Sequence, residues 1–235
     1  MINKSKNIYF LGIGGIGMSA LARWFNANGY NVGGYDKTSS PLTEALVTEG
    51  IDIHYDDQVG RIPTHFYKKE ETLVVYTPAI PHNNIELIHF RAEEFTMMKR
   101  AQVLGLLTEG MTTVAIAGTH GKTTTSSMTA HILKHSGLEI SAFLGGITAN
   151  YNSNLLIGAK DGIAVVEADE YDRSFLTLYP SIAVVTSTDA DHLDIYGNHH
   201  SLMDSFNQFV GQIKKGGKLV YKKGLELTFP DQVSK

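Results

Sequence analysis

The chain has 235 residues, of which 43% are hydrophobic and 19% are charged, and its formal net charge is −4. This composition predicts a folded globular protein and argues against a general nucleic-acid or membrane-surface binder. Because cysteine is absent, disulfides, thiolate metal sites and cysteine nucleophiles are excluded. A polar amino terminus and a glycine-broken apolar stretch after it fit neither a signal peptide nor a membrane span, so we expect a cytoplasmic protein.

The first half of the chain alternates short apolar runs with helical patterns. Strands are predicted over 7–11, 31–35, 51–54 and 72–77, and helices over 18–28, 41–48 and 84–93. The repeated strand–helix order predicts a parallel, doubly wound sheet. We therefore expect an α/β fold that opens with a Rossmann-like domain over residues 1–107.

A second α/β unit is predicted from residue 108 onwards. Its strands are predicted over 112–117, 140–144, 162–167, 182–186 and 217–221, and its helices over 126–135 and 201–213. The strand, glycine-loop, helix pattern occurs twice, at Gly12 and at Gly118, which favours two nucleotide-handling units in tandem. The second sheet is expected to be unfinished at Lys235, so residues 108–235 are predicted to form a truncated domain.

The glycine-rich loop near the amino terminus fits the pattern G-x-G-x-x-G. Gly12, Gly14 and Gly17 lie between a predicted strand and a predicted helix, and Asp36 follows about 20 residues downstream. Such glycines let the backbone approach a pyrophosphate, which binds at the helix amino terminus. The loop indicates either a dinucleotide or nucleotide-diphosphate site, or a tight turn in an ordinary βαβ unit. The motif alone does not separate NAD from another ligand.

A second glycine loop, with the sequence G-T-H-G-K-T-T-T at 118–125, predicts a triphosphate site. Its backbone amides can surround phosphates, Lys122 can reach the β and γ oxygens, and the Thr123 hydroxyl can bind Mg²⁺. The position of the first glycine in the standard P-loop is occupied by Ile116, so this is a shorter variant. A chance Gly-Lys-Thr is the alternative, which the placement between strand and helix disfavours. The predicted ATP-binding residues are Gly118, Thr119, His120, Gly121, Lys122, Thr123 and Thr124.

Acidic residues and a histidine follow two later strands. Glu167 ends the predicted strand 162–167, where an acid beside a P-loop strand can organise a metal ion. His192 follows the strand 182–186 among three aspartates, and a carboxylate with an imidazole is a plausible partial shell for Mg²⁺ or Mn²⁺. Taken singly, each residue has a structural alternative: a helix cap or loop acid for Glu167 and a structural histidine for His192.

Together these motifs resemble the Mur ligase family, the ATP-dependent amide-forming enzymes of peptidoglycan synthesis. The resemblance is carried by the loop 118–125, by E-A-D-E at 167–170 and by D-A-D-H-L-D at 189–194. The opening L-G-I-G-G-I-G-M at 11–18, with Asp36 and P-A-I-P at 78–81, is most similar to the branch of the family that adds L-alanine.

The resemblance implies a reaction, its substrates and its site residues. ATP would phosphorylate the carboxylate of UDP-N-acetylmuramate to an acyl phosphate, which the amine of L-alanine would then attack. Lys122 and His192 would be the catalytic residues, and Thr123, Glu167 and His192 would hold Mg²⁺ or Mn²⁺. Gly14, Gly15 and Ile16, with Asp36, would meet the UDP part of the substrate, so the resemblance argues against NAD in the first loop. Neither nucleic acid nor membrane is an expected partner, and the oligomeric state stays open.

Two features depart from the wider family. Several of its members carry a carbamylated lysine about 15 residues past the histidine, whereas 205–208 reads S-F-N-Q, so no carbamate is predicted and a second metal is left open. The family has three domains, and the third is expected to be absent here, which predicts that the chain alone is inactive. The competing hypotheses are a ligase that recycles a whole peptide onto UDP-N-acetylmuramate, an NAD-dependent oxidoreductase, and a non-catalytic binding module.

Overall fold

The computed structural model describes residues 2–191 and 193–228. The chain divides into two units, unit 1 over Met1–Val103 and unit 2 over Leu104–Lys235. The boundary falls inside a helix, Arg100–Glu109, that the sequence analysis did not predict. In the described part of the chain, no helix is both long enough and apolar enough to cross a bilayer.

Unit 1 is built on a five-stranded parallel sheet. Its strands are β1 (Asn7–Leu11), β2 (Asn31–Tyr35), β3 (Asp52–His54), β4 (Thr72–Tyr76) and β5 (Thr96–Lys99), in the order β3-β2-β1-β4-β5. Its helices are α1 (Ile16–Ala27), α2 (Pro41–Thr48) and α3 (Ile85–Ala92), followed by α4 (Arg100–Glu109) at the boundary. The predicted parallel sheet of unit 1 is thus confirmed.

In unit 1 the strands β1, β2 and β3 follow one another outward on one side, and β4 and β5 then continue on the other side of β1. This change of side, between β1 and β4, is the strand-order reversal of unit 1. β1 is the central strand of the sheet, and all five of its residues are buried. In open α/β sheets, ligands bind beyond the carboxyl ends of the strands at such a reversal. The loop that follows β1 is the glycine-rich loop, so the topology places it at this point.

The side chains of Tyr9, His54 and Glu86 form a buried polar cluster in unit 1. Glu86, on α3, is fully buried, and its Oε2 lies 2.6 Å from the Tyr9 hydroxyl. The same hydroxyl lies 2.7 Å from His54 Nε2, which is 3.3 Å from Glu86 Oε1. The other ring nitrogen of His54, Nδ1, lies 3.0 Å from the carbonyl oxygen of Asp56. Burial raises the pKa of Glu86 to about 7 and lowers the pKa of His54.

Unit 2 is built on a six-stranded sheet. Its strands are β6 (Thr112–Ala117), β7 (Ile140–Thr148), β8 (Ser153–Leu156), β9 (Ile163–Glu167), β10 (Ile182–Val185) and β11 (Lys218–Tyr221), in the order β11-β10-β6-β9-β7-β8. Its helices are α5 (Lys122–His135), α6 (Leu193–Tyr196) and α7 (His199–Gly211). β6 therefore lies between β9 and β10, and the carboxyl ends of these three parallel strands meet at one edge.

Unit 2 differs from the predicted elements in two respects: it contains a strand, β8, that was not predicted, and one of its helices begins earlier than predicted. Its sheet is mixed, because β8 pairs antiparallel with β7, and the pairing is irregular between Phe143 and Thr148. β8 was missed because its sequence, S-N-L-L, has no β-branched residue. The helix after the phosphate loop begins at Lys122 and not at Ser126, so half of the loop motif forms its first turn.

Candidate functional site

A cavity of about 540 Å³ lies at the carboxyl end of the sheet in unit 1. Gly12 and Gly15 of the glycine loop line it, together with Asp36 after β2 and Thr77 after β4. Ligand pockets commonly measure about 300–1,000 Å³, so the cavity is large enough for a small organic ligand. It lies at the strand-order reversal, where the topology favours a binding site.

Asp36 is tied to the glycine loop. Its Oδ2 accepts a hydrogen bond from the Gly14 amide at 2.7 Å. Gly15 is the residue before α1 and Ile16 is the first residue of that helix, where the helix dipole favours an anion. The structure thus brings the four predicted residues to the same end of α1. Lys37, which the sequence analysis did not single out, also lines the cavity and supplies a cation.

In unit 2 the phosphate loop connects the buried strand β6 to α5. Gly118 has a φ of +136°, and a Cβ at this position would overlap the Thr186 hydroxyl and the Ser187 backbone. A glycine is therefore required here both by the backbone conformation and by the close approach of the segment after β10. Gly121 precedes α5 and offers no side chain to cap it, so the amide groups of the first turn face a site suited to phosphate.

The segment after β10 holds the loop in place. The Ser187 hydroxyl accepts a hydrogen bond from the His120 amide at 2.8 Å and lies 2.9 Å from the Thr119 hydroxyl. The Thr186 hydroxyl donates to the His120 carbonyl at 2.6 Å. The Asp189 amide donates to Thr119 Oγ1 at 3.1 Å. These bonds fix the backbone of the loop from the strand next to it.

Lys122, the fifth residue of the motif 118–125 and the first residue of α5, forms a buried ion pair with Glu170. Its Nζ donates to the Gly118 carbonyl at 2.9 Å and to Glu170 Oε1 at 2.8 Å. The Lys122 side chain is 14% exposed and that of Glu170 is 0% exposed. Burial raises the pKa of Glu170, and the nearby Lys122 ammonium opposes that rise.

Thr123 and Glu167 form the neighbouring part of the site. Thr123 Oγ1 donates to Glu167 Oε1 at 3.0 Å, and the Gly145 amide donates to Glu167 Oε2 at 3.1 Å. A hydroxyl and a carboxylate are oxygen donors of the kind that Mg²⁺ prefers, and Mg²⁺ usually keeps several waters besides. The pair therefore fits one side of a magnesium shell.

The remaining predicted residues have different positions. His192, predicted both as a metal ligand and as a catalytic residue, lies outside the described residues. Among residues 2–191 and 193–228, no group of three or more histidine and acidic side chains is arranged to hold a metal ion. The side chains of His120 and Thr124 are exposed, and His120 Nε2 is 4.0 Å from Asp189 Oδ2.

Sequence reasoning missed three residues that shape this site. Ser187 belongs to none of the motifs described above, and Glu170 enters only as the last residue of E-A-D-E at 167–170. Gly145 lies within β7 beside Gly146, and glycine inside a strand is a signal for a bulge or a close backbone approach. Here that approach is made by Glu167, whose carboxylate occupies the space of a Cβ on Gly145.

Comparison with known families matches both units. Residues 7–112 match the Mur ligase family, catalytic domain, and residues 116–227 match the Mur ligase middle domain. The two matches lie end to end and together cover most of the chain.

Curated relatives are highly similar over the whole chain. The UDP-N-acetylmuramate–L-alanine ligase of Cytophaga hutchinsonii is 55% identical over 231 residues, which cover 97% of this chain and 50% of the relative. The enzyme of the same name from Parabacteroides distasonis is 55% identical over 227 residues, covering 97% and 49%. The chain therefore spans about half the length of the curated relatives it matches.

Solved structures agree with the fold. The UDP-N-acetylmuramate–alanine ligase of Thermotoga maritima superposes with a TM-score of 0.81 and 31% identity, covering 94% of this chain and 50% of that one. A UDP-N-acetylmuramate:L-alanyl-γ-D-glutamyl-meso-diaminopimelate ligase from Neisseria meningitides gives a TM-score of 0.84 at 24% identity, covering 94% and 72%, and shows the fold alone. With two matching domains and these relatives, the chain belongs to the Mur ligase family.

Proposed function

We propose that this chain forms the nucleotide-sugar-binding and ATP-binding parts of a ligase that joins L-alanine to the carboxylate of UDP-N-acetylmuramate. The observation that carries the proposal is the arrangement of Lys122, Thr123 and Glu167 at the end of β6 and β9. The names of the relatives support the choice of substrates, because they are 55% identical to this chain over nearly all of it.

The two units would divide the work. Residues 1–107 would bind UDP-N-acetylmuramate, with Gly14, Gly15 and Ile16 receiving the diphosphate and Asp36 receiving the ribose. The cavity of about 540 Å³ and the cation of Lys37 support this assignment. Residues 108–235 would bind ATP, with its phosphates on the amides of 118–124.

The reaction would proceed in two steps. A carboxylate oxygen of UDP-N-acetylmuramate attacks the γ-phosphorus of ATP, the bond to the bridging oxygen breaks, and ADP leaves. The amine of L-alanine then attacks the acyl carbon, phosphate leaves and the nitrogen loses a proton. Lys122 would stabilise the charge that moves onto the phosphoryl oxygens. His192, the other predicted catalytic residue, would also act at this phosphate site.

A divalent cation, Mg²⁺ or Mn²⁺, would neutralise phosphate charge in this site. Thr123 and Glu167 would hold it from one side, since both present oxygen atoms to the same space. His192 would complete the protein ligands. The Gly145 amide would keep the Glu167 carboxylate oriented.

Two measurements test the proposal. Calorimetry on the 235-residue chain should detect binding of UDP-N-acetylmuramate and of Mg-ATP, and no binding of NADH. Binding of NADH without binding of the UDP-sugar would instead support an oxidoreductase.

Phosphate release by the full-length gene product should require UDP-N-acetylmuramate, ATP and L-alanine together. Replacing L-alanine by L-alanyl-γ-D-glutamyl-meso-diaminopimelate separates the recycling ligase from the alanine ligase. Preference for the peptide, or full turnover by Lys122→Ala, would refute the proposal.

A further inference from the structure

Within the described part of the chain, the Lys122 ammonium uses two of its three N–H groups. One hydrogen bond goes to the Gly118 carbonyl at 2.9 Å and one to Glu170 Oε1 at 2.8 Å. A lysine ammonium has three donors at tetrahedral angles. When two are held by fixed acceptors, the direction of the third is determined.

Both acceptors are themselves fixed. Gly118 belongs to the loop backbone, which is held by the segment after β10. Glu170 is fully buried, and its carbonyl oxygen accepts hydrogen bonds from the Tyr196 hydroxyl at 2.5 Å and from the Arg173 amide at 2.9 Å. The carboxylate that meets Lys122 is therefore not a mobile surface group.

The segment that carries Glu170 has an unusual backbone. Asp172 and Arg173 both adopt left-handed conformations, with φ of 51° and 60°. The Arg173 guanidinium lies 5.5 Å from the centre of the Tyr196 ring. Two adjacent non-glycine residues in this region cost conformational energy, which the packing of the segment offsets. The turn follows Glu170 directly and brings the Arg173 amide back to the Glu170 carbonyl, so it helps to hold Glu170 in place.

We propose that Glu170 is a positioning residue, which directs the third N–H of Lys122 toward the phosphoryl group that is transferred from ATP. The inference rests on the proposed function, because it requires a triphosphate on the loop. Glu170 touches neither ATP nor the reacting carboxylate and acts through Lys122.

The length and the charge of Glu170 both matter for this role. Aspartate is shorter by one methylene, so its carboxylate cannot reach Nζ without pulling the lysine away from the Gly118 carbonyl. Glutamine keeps the length and one acceptor oxygen, loses the charge and replaces the second carboxylate oxygen by an NH2 group. The expected order of ATP affinity is therefore the natural chain, then Glu170→Gln, then Glu170→Asp.

Binding of a fluorescent ATP analogue to the 235-residue chain, in the presence of Mg²⁺, tests the order. Glu170→Asp should weaken binding about tenfold and Glu170→Gln about threefold, in line with the loss or weakening of one charge-assisted hydrogen bond. Thermal unfolding and near-ultraviolet circular dichroism of each variant report whether unit 2 remains folded. Glu170→Gln is nearly isosteric and carries the test if Glu170→Asp does not fold.

Repeating the Glu170 substitution in a chain that already carries Lys122→Met separates a positioning role from a merely structural one. In Lys122→Met there is no ammonium to direct, so adding Glu170→Gln should cause no further loss of ATP affinity. In the full-length gene product, Glu170→Gln should lower kcat and leave the KM for UDP-N-acetylmuramate unchanged.

The inference is overturned if Glu170→Gln and Glu170→Asp bind ATP like the natural chain, or if Glu170→Gln weakens binding equally with and without Lys122. Failure of the proposed function looks different. In that case the natural chain does not bind Mg-ATP, or Lys122→Met binds it equally well.

Discussion

The backbone of Gly145 lies directly against the carboxylate of the proposed metal ligand Glu167, and replacing this glycine by alanine gives a sharp test. An added Cβ would lie 2.5 Å from both Cδ and Oε2 of Glu167. Non-bonded carbon atoms are normally about 3.5–4.0 Å apart, so the carboxylate has to retreat by about 1 Å. That retreat breaks the 3.1 Å bond from the Gly145 amide and lengthens the 3.0 Å bond from Thr123.

The fold should tolerate this change because a half-buried side chain at the end of β9 can move. We expect the unfolding temperature of Gly145→Ala to stay within about 3 °C of the natural chain, as for a substitution costing well under 1 kcal/mol. Groups that orient a metal ligand are typically worth about 10–100-fold in metal affinity. The Mg²⁺ concentration needed for half-maximal ATP binding should therefore rise at least about tenfold.

A magnesium titration at a fixed concentration of fluorescent ATP analogue measures this effect on the 235-residue chain. Gly146→Ala is the matched control, because its added Cβ meets only Thr123 Cγ2, at 3.4 Å. Equal magnesium dependence in the two variants would show that the contact between Gly145 and Glu167 does not organise the metal site.

Three further substitutions probe the two units. Asp36→Ala should weaken binding of UDP-N-acetylmuramate about tenfold by calorimetry, with ATP affinity unchanged, because it removes the proposed acceptor for the ribose and the hydrogen bond that orders the glycine loop at Gly14. Ser187→Ala should destabilise unit 2 by about 1–2 kcal/mol in urea unfolding, since the His120 amide loses its 2.8 Å partner. Burial raises the pKa of Glu86 from 4.5 to about 7, so the stability that this carboxyl contributes is complete below about pH 4.5 and lost as the pH rises through 7. Glutamine at position 86 does not titrate. The unfolding free energy of Glu86→Gln should therefore rise relative to that of the natural chain, by up to about 3 kcal/mol between pH 4.5 and pH 8.

Each of these substitutions has a control and a contrary result. Asp52→Ala is the control for Asp36→Ala, because it removes an exposed acid that does not line the cavity. If Asp52→Ala weakened UDP-sugar binding as much as Asp36→Ala, the change in net charge would be the cause. Ser187→Thr retains the hydroxyl and should retain stability. A pH-independent difference between Glu86→Gln and the natural chain would contradict the raised pKa.

Much of the architecture follows from local patterns in the sequence. β1 and β6 are short apolar runs next to glycine loops, and β2 is the short segment N-V-G-G-Y that ends before Asp36. The bounds of all three agree with the predicted strands. α2 begins with a capping box at Ser40 and proline at its first turn, which are strong local signals. Elements without such signals were missed: β5, with the sequence T-M-M-K, and α4, which has Gly105 in its interior.

Residues of the candidate site could be predicted from the sequence where they belong to a recognisable motif. They could not be predicted where their role depends on a contact that only the tertiary structure makes. Lys122, Thr123 and Glu167 follow from their places beside strand ends, and they lie together. The hydrogen bonds of Ser187 cross 67 residues of sequence, because β10 is adjacent to β6 only through the sheet order. No local pattern encodes such a pairing.

The buried cluster of unit 1 determines where its protons lie. His54 Nδ1 faces the Asp56 carbonyl, which can only accept, so Nδ1 carries hydrogen and Nε2 of the neutral ring has a lone pair. The Tyr9 hydroxyl has one proton, which it donates to Glu86 Oε2 at 2.6 Å, and its oxygen also lies 2.7 Å from His54 Nε2. Because burial raises the pKa of Glu86 to about 7, protonation of this carboxyl supplies a second proton to the cluster, and both short contacts of the Tyr9 oxygen can then be hydrogen bonds. Deprotonation of Glu86 removes that second proton and leaves a buried carboxylate, which makes unit 1 sensitive to alkaline conditions.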